Sequence, residues 1–337
     1  MKTYLLPEEG SFYKANLHSH SIFSDGKNTP EEMRDYYKSH GYQILSLTDH
    51  DVLLDHTHLN QEDFLMFTGY EYGIAEDVSC YATTCRTVEF NIYPRNPHNL
   101  KQVCFDPSVL TFAPEDVKKN IQHIGDPVKQ EFTAEFFQKV IDAAKANDCL
   151  IGINHPVYSL LDAEIIGNMK GLDFLEIVNQ GSCMNGEDDN HYLYDQLLRK
   201  GYPLSITASD DRHSTSIIDY PDDPRPWAAT MIKAKSLTHG DVYAAIEKGD
   251  MYTTQGPEIY ALYVEDGQVH MKFSNAKHVM MVTSGRRRRY TVAQPNQYLQ
   301  EVAYPIPTDM DYIRMVVIDE YGRKARTRAY FRHEWGL

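Results

Sequence analysis

The chain is short of positive charge and has no long apolar run. Against 48 acidic residues stand 33 basic ones, a formal net charge of −15. Phosphate backbones are repelled by such a surface, which disfavours general nucleic-acid binding, although cations held in a cleft can reverse the sign for a small anionic substrate. No segment is apolar over the length that spans a bilayer. The opening MKTYLLPEEG sets a proline and two glutamates where a signal peptide needs an apolar core, so a cytoplasmic protein is expected. The five cysteines, Cys80, Cys85, Cys104, Cys149 and Cys183, are odd in number and include no Cys-x-x-Cys pair. They read as reduced thiols, not as a disulfide framework. A serine-nucleophile elbow, a P-loop, internal repeats and low-complexity stretches are also missing.

What is present is an ordinary globular composition, 42% hydrophobic and 24% charged over 337 residues, long enough for one large domain with a small module. Up to about residue 255 strand and helix signals alternate. NTPEEMRDYYKSHG reads as a helix capped by Thr29, with Pro30, Glu31 and Glu32 in its first turn and Gly41 at its end. Residues 133–147 carry apolar side chains at helical spacing: Phe136, Phe137, Val140, Ile141 and Ala144. Strand, helix, strand in succession implies a parallel α/β sheet or barrel. After residue 255 come short strands separated by DG, SG and YG turns, the pattern of an antiparallel β module. The expected division is therefore 1–255 and 256–337.

Groups able to hold a metal gather at the carboxyl ends of the first region's strands. His18 and His20 end one, His50 a second, Glu71 a third; Glu89 lies on a fourth, His155 ends a fifth, and Asp210, Asp211 and His213 end a later one. Parallel α/β barrels build active sites at that edge. Histidines two apart on a strand face the same way. A single strand-end histidine means little, but His, Asp and Glu from separate strands aimed at one point make a metal-centre pattern.

The ordered motifs HSH…SDG, LTDHD, GYE, NHP and SDDRH resemble those of the PHP (polymerase and histidinol phosphatase) superfamily of metal-dependent phosphoesterases. LEIVNQG and YTTQGPEI resemble its CehA/McbA-like metallohydrolases. The resemblance covers roughly residues 14–257 and implies a distorted (β/α)7 barrel holding up to three divalent ions, zinc, manganese or iron. Carried over by position, His18, His20, Glu71 and Asp211 form one site. Glu71 bridges to a second, completed by His155, and Asp25, His50 and His213 form the third. Glu89 stands where relatives use histidine; it is either a carboxylate ligand that favours harder ions or an ordinary strand residue. Asp-x-His spacing selects Asp211, leaving Asp210 as an outer group or base, while Arg212 either donates to a substrate phosphate or points outward. Asp49 is expected to orient His50 or a neighbouring ligand. His56, His58 and the RRRR run at 286–289 read as surface, and Glu176 and Asn179 as pocket residues.

The implied activity is hydrolysis of a small phosphorylated substrate, a monoester or a diester, by water activated on the metals. Carbamate or other ester hydrolysis is the alternative, and an inactive metal-binding scaffold is the alternative outside enzymes.

Overall fold

The structure, a computed structural model, describes residues 2–77, 85–184, 186, 190–216 and 227–336. The first part runs β1 (Thr3–Tyr4), β2 (Ser11–Asn16), α1 (Pro30–Ser39), β3 (Ile44–Leu45), β4 (Leu65–Met66), β5 (Tyr70–Ala75) and β6 (Thr87–Pro94). Next come β7 (Lys101–Gln102), α2 (Glu115–Lys118), β8 (Gln122–His123), α3 (Ala134–Ala146), β9 (Cys149–Ile153), α4 (Ala163–Ile166), β10 (Phe174–Asn179), α5 (Gln180–Met184), α6 (His191–Arg199) and β11 (Ser205–Ser209). The remainder is β12 (Ala229–Ala234), α7 (His239–Lys248), β13 (Met251–Thr254), β14 (Ile259–Glu265), β15 (Gln268–Ala276), β16 (His278–Thr283), β17 (Arg289–Val292), β18 (Leu299–Pro305), β19 (Tyr312–Ile318), β20 (Lys324–Thr327) and β21 (Tyr330–Phe331).

The helices follow from local signals. Thr29 accepts from the amide of Glu32 and the Glu32 carboxylate accepts from the amide of Thr29, a reciprocal cap that starts α1 at Pro30. Met33 and Tyr37 then face inward. Thr133 caps α3, whose buried stripe is Phe136, Phe137, Val140, Ile141 and Ala144. That stripe packs in the largest apolar cluster, over a five-stranded sheet in the order β11-β10-β9-β6-β5.

The second sheet has ten strands, in the path β17-β16-β19-β20-β13-β12-β2-β3-β4 with β21 on β19. A third, β1-β14-β15-β18, lies over its C-terminal strands, and Leu262, Met271, Met281 and Met315 fill the space between them. The ten-stranded sheet runs across residue 255, because β20 pairs with β13.

The architecture is mixed α/β with many strands and few helices, and the pairing does not give the closed ring of a (β/α)7 barrel. β5, β6 and β9 run antiparallel to their neighbours in the order β5-β6-β9. Only residues 76–86 join β5 to β6, a link shorter than a parallel crossover needs. The ladders also stop short of closure. Among the described residues, only single backbone bridges, Ser19 to Arg212 and His50 to Glu71, tie the two larger sheets together. The backbone leaves the extended region beside each, at Asp51 (φ 56°) and Asp211 (φ 50°). These two ties sit among the metal-type side chains.

No helix among the described residues is long and apolar enough to cross a membrane. The described cysteines, Cys85, Cys104, Cys149 and Cys183, form no disulfide with one another. Cys80 lies outside the described residues.

Candidate metal centre

The loop after β2 explains why the sequence there is so particular. His18 and His20 lie just beyond the end of the strand and are wholly buried. The chain then folds back, with the amides of Ser24 and Gly26 donating to the Ser21 carbonyl. Gly26 rests so closely on the His20 backbone that a Cβ would come within 2.6 Å of it. A larger residue would push Asp25 away from the histidines. Asp49 fixes the same loop, accepting from Ser21 N, Ser21 Oγ and Ser24 Oγ at 2.7 Å each. Its contacts with the 20–24 loop make it a positioning group for His20 and Asp25, the neighbouring ligands that were the alternative to His50.

Glu71 is the centre of the arrangement. Its Oε2 lies 3.3 Å from His18 Nε2, 3.4 Å from His20 Nε2 and 3.2 Å from His50 Nδ1. Its Oε1 lies 3.4 Å from His155 Nε2 and accepts from Asn154 Nδ2 at 2.7 Å. Asp211 Oδ1 stands 3.2 Å from His18 Nε2 and 3.0 Å from His20 Nε2. Glu89 Oε2 is 3.4 Å from His155 Nε2. Asp25 lies 3.3 Å from His213 Nε2 and 3.7 Å from His50 Nε2. The donor sets His18, His20 and Asp211; Glu71, Glu89 and His155; and His20, Asp25, His50 and His213 each gather within the reach of one ion. A fourth set adds Glu176 to His18 and His155.

These spacings suit divalent metals. An ion bonded at about 2.1 Å holds neighbouring donors roughly 3.0–3.4 Å apart, in octahedral or tetrahedral geometry. The buried His18 Nε2 and Glu71 Oε2 make no hydrogen bond despite their closeness. Orphaned polar atoms at full burial are costly unless something else binds them. Outer groups fix the ring orientations. His18 Nδ1 is 3.3 Å from Glu176 Oε1, and His155 Nδ1 is 3.0 Å from Ser159 Oγ, so both rings aim Nε2 inward. Glu176 also accepts from His155 N and Asn179 Nδ2, at 3.0 Å each, and Asn179 Nδ2 reaches Asp211 Oδ2 at 3.2 Å.

Electrostatics show how much charge is packed here. Burial opposes a charged His18, but the carboxylates of Asp211, Glu71 and Glu176 outweigh it and hold its pKa well above normal. Burial likewise opposes ionised Glu71 and Asp211, yet the surrounding histidines hold both well below the usual carboxylate range. Glu89 is raised by burial and then by the charge of Glu71. His20 is lowered by burial and by His213 and His50, whose rings stack on it at 4.2 and 4.4 Å. His155 has φ 21° and Asp211 φ 50°, backbone strain at the residues that face the cluster.

Two site candidates do not join the cluster. Asp210 is buried below it, bonded to Tyr37 Oη and Arg212 Nε, while its amide donates to Asn16 Oδ1. Burial raises its pKa against the pull of Arg212. The Arg212 guanidinium is buried on Asp210 and the Ser214 carbonyl, with its carbon 5.2 Å from the Tyr36 ring. It neither reaches out from the mouth nor faces the histidines, because α1 supplies a pocket that takes it inward. His56, expected on the surface, is buried with its ring 5.9 Å from Phe23. Arg286–Arg289 are exposed, as a solvated hairpin should be.

Sequence reasoning missed Asn154 and the Asn16–Tyr37–Asp210 support. Asn154 could have been noticed as the residue before His155; Tyr37 carried no signal beyond its helical face. Exposed aromatics flank the cluster at opposite ends. The Phe112 ring lies 6.2 Å from that of His50, and Tyr158 meets His155 edge-on at 5.4 Å.

No family model matches the chain, and no curated protein matches it. Among solved structures it is similar to a two-domain protein from Bacteroides vulgatus containing a predicted PHP-like metal-dependent phosphoesterase, at 13% identity and a TM-score of 0.48, covering 97% of this chain and 98% of that one. It is similar to a candidate metal-dependent phosphoesterase from Bifidobacterium adolescentis, at 17% identity and a TM-score of 0.38, covering 62% of this chain and 89% of that one. An amidohydrolase from Chromobacterium violaceum, with bound sulfate and no metal, matches at 15% identity and a TM-score of 0.39, over 59% and 87% of the two chains. The functional reading rests on the site itself.

Proposed function

We propose that the chain is a metal-dependent hydrolase and that its reaction is phosphoester hydrolysis. The observation that carries the first part is Glu71, a fully buried carboxylate with three histidine nitrogens around one oxygen and a fourth facing the other. His18, His20, Glu71 and Asp211 would hold one divalent ion, Glu71, Glu89 and His155 a second, and Asp25, His50 and His213 a third. Bound ions supply Lewis acidity and lower the pKa of water, which is the chemistry ester hydrolysis needs. The chain's own residues do the rest. Asn154 fixes the plane of the Glu71 carboxylate, Glu176 holds the His18 ring, and Asp49 holds the loop that carries Asp25. Asp25 and His213 are the most exposed members, at 29% and 34%, so solvent and substrate meet the cluster on their side. Glu89 makes the second position harder than one built from two imidazoles, which favours Mn²⁺ or Fe²⁺ over Zn²⁺. The single bridges at Ser19 and His50 are consistent with a distorted barrel held open by this cluster. The substrate is a small ester, not a nucleic acid, and the reduced cysteines suit a cytoplasmic setting.

The motif order favours a phosphoester. A carbamate or other uncharged ester is the second reading, favoured by the aromatic flanks Phe112 and Tyr158 and by the burial of Arg212 on Asp210. Metal-reconstituted protein should be assayed on 4-nitrophenyl phosphate, bis(4-nitrophenyl) phosphate and 1-naphthyl N-methylcarbamate. Turnover of a phosphate ester supports the leading reading, and turnover of the carbamate alone replaces it with the second. No turnover with Mn²⁺, Fe²⁺ or Zn²⁺ leaves a metal-binding scaffold.

A further inference from the structure

The C-terminal strands carry a cleft that the hydrolytic reading does not use. It has a volume of about 410 Å³ and lies between the residues leading into β14, the outer part of β15 and β18, and the turn joining β19 to β20. That is within the size range of small-molecule sites.

Two tyrosine rings line it. Tyr321 is 75% exposed and Tyr260 54%. Exposed aromatic rings lose apolar hydration when a ligand covers them, and here both are held in place in advance. Tyr260 Oη donates to Glu258 Oε2 at 2.9 Å. The Arg323 guanidinium carbon sits 5.0 Å from the Tyr321 ring centroid.

The turn is organised around Asp319. Its Oδ1 accepts from the amides of Tyr321 and Arg323 at 2.9 Å each, and its Oδ2 accepts from Arg323 Nε at 2.7 Å. Gly256 completes the seat, since a Cβ there would come within 2.8 Å of the guanidinium. Arg323 is thereby gripped through Nε, while its side chain stays 50% exposed. On β15 and β18, Gln300 Nε2 donates to Asn275 Oδ1 at 3.0 Å. The pairing leaves the Asn275 NH₂ and the Gln300 carbonyl as a matched donor and acceptor.

The lining thus combines fixed aromatic faces with planar donors and acceptors. Asp319 and Glu320 outnumber the one guanidinium, and the whole chain is acidic, so an anion is disfavoured. We propose that this cleft binds an uncharged saccharide. The C–H face of a pyranose ring packs on tyrosine, and its hydroxyls meet the amide pair and the Arg323 terminal nitrogens.

Isothermal titration of the full-length, metal-loaded chain with cellohexaose, xylohexaose, mannohexaose, maltohexaose and laminarihexaose tests this. Saturable binding of at least one is expected. Tyr321→Ala and Tyr260→Ala should each weaken it about five- to tenfold, the value of one aromatic contact. Both side chains are exposed, so the melting temperature should not change. Binding of none of the five sugars overturns the proposal. So does binding that the double variant Tyr260→Ala/Tyr321→Ala leaves intact, and so does a preference for adenosine or oligogalacturonate over every neutral sugar.

Discussion

Asp210 and Asp211 are adjacent and do opposite things. Asp211 turns through a left-handed backbone to face His18 and His20, while Asp210 drops onto Arg212 and Tyr37. The Asp-x-His spacing points to Asp211, and Asp211 is the one that lies against His18 and His20. The inward turn of Arg212 was not legible, because its pocket comes from α1, far away in sequence. We expect Asp211→Asn to lower metal affinity and hydrolysis by about a hundredfold or more, since a neutral amide is a poor ligand. Asp210→Asn should keep its metal. It should instead lose stability, by about 3–5 kcal/mol, because the carboxylate that pairs with a buried guanidinium is removed. Metal analysis and denaturant titration of the two variants separate these effects; a reversed metal result contradicts the assignment. Glu89 offers a finer test. Its carboxylate is one residue of the Glu71, Glu89 and His155 set. Glu89→His should shift rate and loading from Mn²⁺ toward Zn²⁺, and Glu89→Ala should lower loading by about one ion per chain. Unchanged stoichiometry and metal ranking in both would return Glu89 to an ordinary strand residue.

Among the elements, the helices were the most legible. α1 and α3 begin at the threonines that cap them and bury the side chains their spacing picked out. Strand direction was much less so. β6 is buried on both faces, as it would be with parallel or antiparallel neighbours, and nothing local in Thr87–Pro94 chooses between them. β12, central to the ten-stranded sheet, was missed because it follows residues with no periodic pattern. A long-range pair joins α6 to β19 and was equally invisible. Arg314 makes a two-pronged contact with Asp195, at 2.8 and 2.9 Å, with both side chains buried. We expect Arg314→Met to destabilise the chain by about 3–5 kcal/mol through the stranded carboxylate. The double variant Arg314→Met/Asp195→Leu should recover much of that loss. Chemical denaturation reads both, and an additive double variant would mean that the two side chains act independently.

At the scale of the molecule, we propose that residues 256–337 form a module of their own that is firmly joined to the rest. The change from alternating elements to hairpins near residue 255 marks it. The β13–β20 pairing and the Asp195–Arg314 contact bind the two parts into one body. Metal should act on the whole of it. The cluster crowds the carboxylates of Glu71, Glu89, Asp211 and Asp25 together, the first two of them buried, so ions that bind only the folded chain stabilise it by mass action, about 2.7 kcal/mol for one site at a hundred times its Kd. Stripping with a chelator should lower Tm, and Mn²⁺ should restore it; Tm insensitive to both would count against a metal centre.

If histidines and carboxylates surround ions centred on Glu71, anomalous diffraction from crystals grown with Mn²⁺ and with Zn²⁺ will locate them. About two to three peaks per chain are expected, with the strongest between His18 Nε2, His20 Nε2, Glu71 Oε2 and Asp211 Oδ1. A map with no peak there, and with those atoms bonded only to one another and to water, would contradict it.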